Sequence, residues 1–123
     1  MRFKKEIIVI GDRLLISPDD SKEKTDSGLY LPPTVREKEK IQCGYVVKTG
    51  PGYAIPNPSA LDDEPWKEKR SEVKYIPLQA EEGDYVMYLK DQAIEIHFDG
   101  SRYYIVPQSA VMVIVRNQVR SED

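Results

Sequence analysis

His97 is the only histidine and Cys43 the only cysteine in a chain of 123 residues. A metal centre needs several His, Cys or carboxylate ligands brought together, and neither residue has a second His or Cys nearby in sequence. His97 lies on an alternating stretch beside Asp99 and reads as a surface strand residue. Cys43 begins a strand and reads as a small buried hydrophobe, since no histidine partner is evident to activate it. Tyr85, Tyr88, Tyr103 and Tyr104 are of a type that stacks nucleic-acid bases on an open sheet. The formal net charge of −3 opposes that use and leaves core or interface packing as their role. The remaining acidic residues are scattered and read as solvated. No glycine-rich loop precedes a helix where it would cradle phosphate. The chain is therefore expected to be no enzyme and to need neither metal nor cofactor.

What stands out is a surface feature, residues 17–42. Asp19-Asp20-Ser21-Lys22-Glu23-Lys24-Thr25-Asp26 leads in and Arg36-Glu37-Lys38-Glu39-Lys40 leads out. Flanks this polar cannot bury enough apolar surface to offset the entropy of ordering them, about 1–2 kcal/mol per residue for the backbone. Between them sits Gly28-Leu29-Tyr30-Leu31-Pro32-Pro33. In an extended chain Leu29 and Leu31 point one way and Tyr30 the other. Pro32 and Pro33 disfavour a helix and hold Leu31 extended. The tip is either a short strand tucked into the domain's own core or an apolar tip on a mobile loop that docks on another protein.

The elements around this loop are short strands. Ile7-Ile8-Val9-Ile10 and Arg13-Leu14-Leu15-Ile16 are β-rich runs parted by Gly11-Asp12, with Ser17-Pro18 closing the second. Residues 41–49 form a strand ended by Gly50-Pro51-Gly52, and Gly44 within it marks a bulge or a close backbone approach. Residues 53–77 are an irregular excursion with Pro56, Pro58, Pro65 and Pro77, the patch Asp62-Asp63-Glu64, and the only tryptophan, Trp66. Proline at this density excludes a long helix or a central strand. Glu82-Gly83-Asp84 turns into the strand 85–89, and Lys90-Asp91-Gln92 turns again. Residues 93–98 alternate, with Ile94, Ile96 and Phe98 on one face. Asp99-Gly100 predicts a two-residue hairpin turn into residues 101–106. After the corner Pro107-Gln108-Ser109 comes the apolar strand Val111-Met112-Val113-Ile114-Val115, then a polar tail over 117–123. No amphipathic helix is expected, so the class is all-β, a barrel or sandwich.

Length predicts one domain over residues 1–123, large enough for a core without disulfides. Apolar runs too short for a membrane span, the absence of a signal-peptide pattern at the start, and a lone cysteine fit a reducing cytoplasm. No membrane or nucleic-acid partner is expected. Ile7-Ile8-Val9-Ile10 and residues 111–115 are apolar on both faces. In a small barrel this predicts that one face of each packs against another chain.

In this order the features resemble the GroES family of co-chaperonins. Gly11-Asp12-Arg13-Leu14-Leu15-Ile16 is similar to that family's opening strand. Ser27-Gly28-Leu29-Tyr30-Leu31-Pro32 is similar to its mobile-loop tip, and Cys43-Gly44-Tyr45-Val46-Val47-Lys48-Thr49-Gly50-Pro51-Gly52 to its strand and Gly-x-Gly corner. Glu82-Gly83-Asp84-Tyr85-Val86-Met87-Tyr88 resembles its Gly-Asp strand, and the Asp99-Gly100 hairpin and final apolar strand complete the series. The resemblance implies a small, partly open β-barrel of the GroES type with a long mobile loop and an extended roof loop. It implies a homo-oligomer, a heptameric ring in which the N-terminal strand (Ile7, Ile8, Val9, Ile10) pairs with a neighbour's C-terminal strand (Val111, Met112, Val113, Ile114, Val115). It implies a lid on an ATP-bound chaperonin ring, docked through Gly28, Leu29, Tyr30, Leu31 and Pro32, with no hydrolysis by the lid itself.

The chain also departs from that pattern. Residues 53–77 exceed the usual roof hairpin, and Asp62, Asp63 and Glu64 either line the central opening or belong to a plain surface loop. Lys90-Asp91-Gln92 stands where a Gly-Gly pair is frequent, an acidic residue is absent from Pro107-Gln108-Ser109-Ala110, and Tyr30 is bulkier than the usual aliphatic residue. The rival reading is a GroES-like barrel repurposed as a protein-interaction module. Zinc dehydrogenases use a related barrel, but this chain has neither a dinucleotide-binding half nor a metal-ligand set.

Overall fold

The computed structural model describes residues 4–20, 28–34, 38, 40–55 and 74–118. Eight strands follow in chain order: β1 (Arg13–Pro18), β2 (Ile41–Thr49), β3 (Tyr53–Ile55), β4 (Lys74–Ile76), β5 (Tyr85–Leu89), β6 (Ile94–Phe98), β7 (Ser101–Pro107) and β8 (Val111–Val115). Six of them make one sheet in the order β6-β7-β1-β2-β5-β8, and β3 and β4 pair separately. Every pairing is antiparallel. The large sheet does not close, because β6 and β8 are its two edges. The fold is all-β, as the strand and turn pattern predicts.

The sheet is organised around one apolar cluster. Leu14 and Ile16 come from β1, Val46 from β2, Val86 and Tyr88 from β5, and Val106 from β7, with Leu78, Ala80 and Ala110 filling in from the connections. Leu15 is buried too, so the middle of β1 is covered on both faces, as befits a central strand. Irregularities in the ladder put selected side chains outside. Leu15 pairs with Lys48 and Ile16 with Val46, which makes Val47 the extra residue of a bulge. Met87 pairs with Val113 and Tyr88 with Val111, which does the same for Met112. Both extra residues are exposed.

Turn chemistry explains the connections. Asp99 and Gly100 have φ of 52° and 79°, the paired positive values that a two-residue hairpin requires. Gly44 has no room for a side chain. A Cβ there would lie 2.5 Å from both Ile16 Cγ2 and Ser17 O. The close-approach reading of that glycine is correct, and the bulge itself lies beside it, at Val47. Gly50 and Gly52 donate backbone N–H to the carbonyls of Arg13 and Gly11 at 2.9 and 3.0 Å, folding the end of β2 over the start of β1. Gln108, buried after β7, takes the N–H of Ala80 on its Oε1 at 3.2 Å and gives its own N–H to Asp12 O at 2.8 Å.

Three expectations need correction. Ile7-Ile8-Val9-Ile10 is no strand in the single subunit, because no strand among the described residues offers it a ladder. Pro33 and Thr34 take helical backbone despite the prolines, since the fixed φ of proline suits a helix's first turn. The excursion 53–77 is not irregular throughout: β3 and β4 close its base as a short hairpin, with Tyr53 opposite Ile76 and Ile55 opposite Lys74.

Candidate functional site

The loop between β1 and β2 is rooted in the sheet at both ends. On the entry side, the backbone N–H of Asp19 donates to Cys43 O at 3.0 Å, extending the β1–β2 pairing by one step. The Asp19 carboxylate accepts the Tyr85 hydroxyl proton, Oδ2 to OH, at 2.9 Å. Tyr85 is buried and stands across the ladder from Tyr45, whose ring meets it edge to face at 4.9 Å between centroids. Asp20 accepts from Arg102 Nη2 at 2.6 Å, and that guanidinium lies 5.8 Å from the centre of the Tyr104 ring.

The exit side is held by the turn after β5. Lys90–Gln92 forms one turn of 3-10 helix, and the Lys90 N–H donates to Lys40 O at 2.8 Å. Lys40 has φ of 53°, unusual outside glycine, which fits a fixed corner. Its ammonium lies 3.6 Å from Asp91. Where the resemblance leads to the expectation of a glycine pair, this chain uses a turn that clasps the loop.

Between the roots, Gly28 has φ of +85°, a conformation that favours glycine. Tyr30 is 57% exposed, Leu29 and Leu31 are half-buried, and Pro32 is exposed. None of them joins the central apolar cluster. Residues 21–27, 35–37 and 39 lie outside the described residues.

A second set of unsatisfied surfaces lies at the chain's two ends. Ile8 and Ile10 are 73% and 78% exposed, while Ile7 and Val9 are half-buried. Lys48 reaches this arm, donating from Nζ to Ile7 O at 2.9 Å, with Glu6 at 3.4 Å. In β8, Met112 and Val113 are exposed, and Val111, Ile114 and Val115 are half-buried. Asp62, Asp63 and Glu64 lie outside the described residues. The β3–β4 hairpin exposes Tyr53, Ile55, Tyr75 and Ile76.

The Gly83-Asp84 motif has a structural use. Asp84 is buried, and Arg116, just after β8, grips it with Nε on Oδ1 at 2.8 Å and Nη2 on Oδ2 at 2.7 Å. The N–H of Glu81 adds a bond at 2.8 Å. The Arg116 hydrogen bonds, opposed by burial, hold the Asp84 carboxyl below its usual range. The pair fastens the end of β8 to the turn that starts β5. His97 is exposed and Cys43 is buried, in line with the roles read from sequence. Among the described residues no cluster of His, Cys, Asp or Glu could hold a metal ion. No helix among them is long and apolar enough to cross a membrane.

The family model described as the chaperonin 10 Kd subunit matches residues 6–62. Co-chaperonin GroES of Coprothermobacter proteolyticus is 32% identical over 92% of this chain and 98% of its own length. The chain belongs to the GroES co-chaperonin family. Co-chaperonin GroES of Rhodothermus marinus is 33% identical over 94% of this chain and 97% of its own length. That of Halalkalibacterium halodurans is 36% identical over 86% and 95%. Likeness along nearly the full length of these relatives favours a co-chaperonin over a repurposed module. The family is one of non-enzymatic chaperones, so this co-chaperonin is no enzyme.

Sequence reasoning singled out the apolar stretch of the loop in this co-chaperonin but not the loop's roots. Tyr85, Arg102 and Lys90 reach the loop from across the sheet, at sequence separations that no local pattern reports. The one local signal was the Asp19-Asp20 pair directly after Pro18.

Proposed function

We propose that residues 1–123 form a single co-chaperonin domain that acts as a lid. Seven copies form a ring, and their loop tips, Gly28, Leu29, Tyr30, Leu31 and Pro32, dock on an ATP-bound chaperonin ring in the cytoplasm. The closed chamber then holds a folding client, and the lid leaves after the partner hydrolyses ATP. The observation that carries this reading is an apolar tip outside the subunit's own core, strung between two fixed roots. Burying Leu29 and Leu31 in a partner's groove would contribute about 1.5–3 kcal/mol each from full exposure, and less from their half-buried state. Ordering the polar flanks cancels much of that gain. A single loop thus binds weakly, and several loops on one ring bind strongly through their high effective concentration.

In the same reading, the ring forms by strand addition. Ile7, Ile8, Val9 and Ile10 of one subunit pair with Val111, Met112, Val113, Ile114 and Val115 of the next. Support comes from β8 being a sheet edge and from the exposure of Ile8 and Ile10.

The test is Leu29→Asp, compared with wild type for ring mass and for ATP-dependent co-sedimentation with the chaperonin of the same organism. The ring is expected to stay assembled and the co-sedimentation to vanish. Undiminished capture of the variant overturns the proposal.

A further inference from the structure

We propose that Tyr85 and Arg102 are positioning residues for the loop, fixing where it leaves the barrel through Asp19 and Asp20. This rests on the docking role of the loop tip given above. Tyr85 cannot swing. Its ring is buried and packed edge to face on Tyr45, and its hydroxyl reaches the loop at Asp19. Arg102 is held from its own side by Glu95 at 3.8 Å and by the Tyr104 ring, which aims its Nη2 at Asp20. Two consecutive carboxylates are thus gripped by donors from different strands, β5 and β7, that flank the β1–β2 pair in the sheet. Consecutive residues held from both sides have a set direction as well as a set position.

The consequence lies in preorganisation. A tip that starts from a fixed exit has fewer residues to order when it docks. If the root opens, only the fraction of loops with a closed root is ready to bind, and apparent affinity falls by that fraction for each loop. Because the loops bind together, a small loss per loop multiplies over the ring.

The assembled ring tests this in wild type, Tyr85→Phe, Asp19→Ala and the double variant Tyr85→Phe/Arg102→Gln. Two quantities are measured: amide hydrogen exchange at Asp19, and affinity for the chaperonin with ATP. Removing one hydrogen bond to a carboxylate is expected to speed Asp19 exchange by about tenfold. Tyr85→Phe and Asp19→Ala remove the same bond from opposite sides, so both should speed exchange at position 19. Exchange at Val46, inside the core, reports global opening and should stay slower than exchange at position 19 in every variant, which a general loss of structure would not allow. The double variant should bind at least about tenfold more weakly while keeping the ring's mass. Faster exchange at Asp19 with wild-type affinity in the double variant overturns the positioning role, as does unchanged exchange in all three variants. A wild-type ring that does not bind the chaperonin instead overturns the docking reading, and the positioning role with it.

Discussion

Tyr85 and Tyr88 lie on one strand, are 2% and 0% exposed, and differ in what their hydroxyls meet. The Tyr85 hydroxyl donates to Asp19 at 2.9 Å. The Tyr88 hydroxyl is buried with no hydrogen-bond partner among the described residues. The same substitution, Tyr→Phe, should therefore move stability in opposite directions at positions three residues apart. A hydrogen bond to a charged group is worth about 1.5–3 kcal/mol, and the partial exposure of Asp19 places Tyr85→Phe at the low end, about 1.5 kcal/mol destabilising. At Tyr88 the lost hydroxyl had no bond to lose, and a buried unsatisfied group carries a penalty of about 1–3 kcal/mol. Tyr88→Phe is expected to be neutral or stabilising by about 1 kcal/mol.

Urea unfolding at a single fixed protein concentration, so that any subunit dissociation contributes equally, reads both effects. With an m-value of about 1.5 kcal/mol per molar, the Tyr85→Phe midpoint falls by about 1 M and the Tyr88→Phe midpoint holds or rises. Alkaline titration gives an independent check. Burial pushes the Tyr88 hydroxyl above the ordinary tyrosine range. Its contribution is fully present below the unfolded-state value of about 10 and is lost as pH rises from there through the higher folded value. Tyr88→Phe should flatten that alkaline loss. A Tyr88→Phe protein destabilised by more than about 1 kcal/mol would refute the reasoning, since it would mean the hydroxyl is satisfied.

Gly44→Ala should destabilise by about 1–3 kcal/mol or more in the same assay, because the new methyl meets the carbonyl of Ser17, which cannot yield without shifting β1. Arg116→Met should change the acid limb. The Asp84 carboxyl is held below its usual range, so its contribution is present above the unfolded value of about 3.9 and disappears as pH falls through the lower folded value. Without the guanidinium, an acid titration followed by circular dichroism should lose that dependence, and an unchanged acid midpoint would count against the clasp.

Strand positions were largely legible because local signals set them. Asp99-Gly100 announces its hairpin by the backbone it permits, and residues 41–49 and 111–115 match β2 and β8 at both ends. Elements that depend on a partner were not legible in the same way. Ile7-Ile8-Val9-Ile10 has strand composition but no paired strand among the described residues, and β6 leaves Ile94 exposed because it is an edge. The β3–β4 base was masked by the prolines that follow it. The tip residues could be named from composition, whereas the grip on Asp19 and Asp20 depends on side chains from β5 and β7 that only the folded sheet brings near.

The described apolar groups of this co-chaperonin fall into those the subunit satisfies and those it leaves over. Leu14, Ile16, Val46, Val86 and Val106 are settled inside one cluster. Ile8, Ile10, Met112, Val113 and Tyr30 are not, and they lie on the arm, the sheet edge and the loop tip. In the proposed lid the first two surfaces hold permanently and the third holds and lets go. Continuous backbone pairing along an edge suits the permanent contact, because each added residue brings hydrogen bonds as well as burial. A few side chains on a polar tether suit the reversible one, since their gain barely exceeds the cost of ordering. Filling the tip with larger apolar residues would thus strengthen capture and slow release. The modest Leu29-Tyr30-Leu31 tip fits a cap whose turnover depends on coming off.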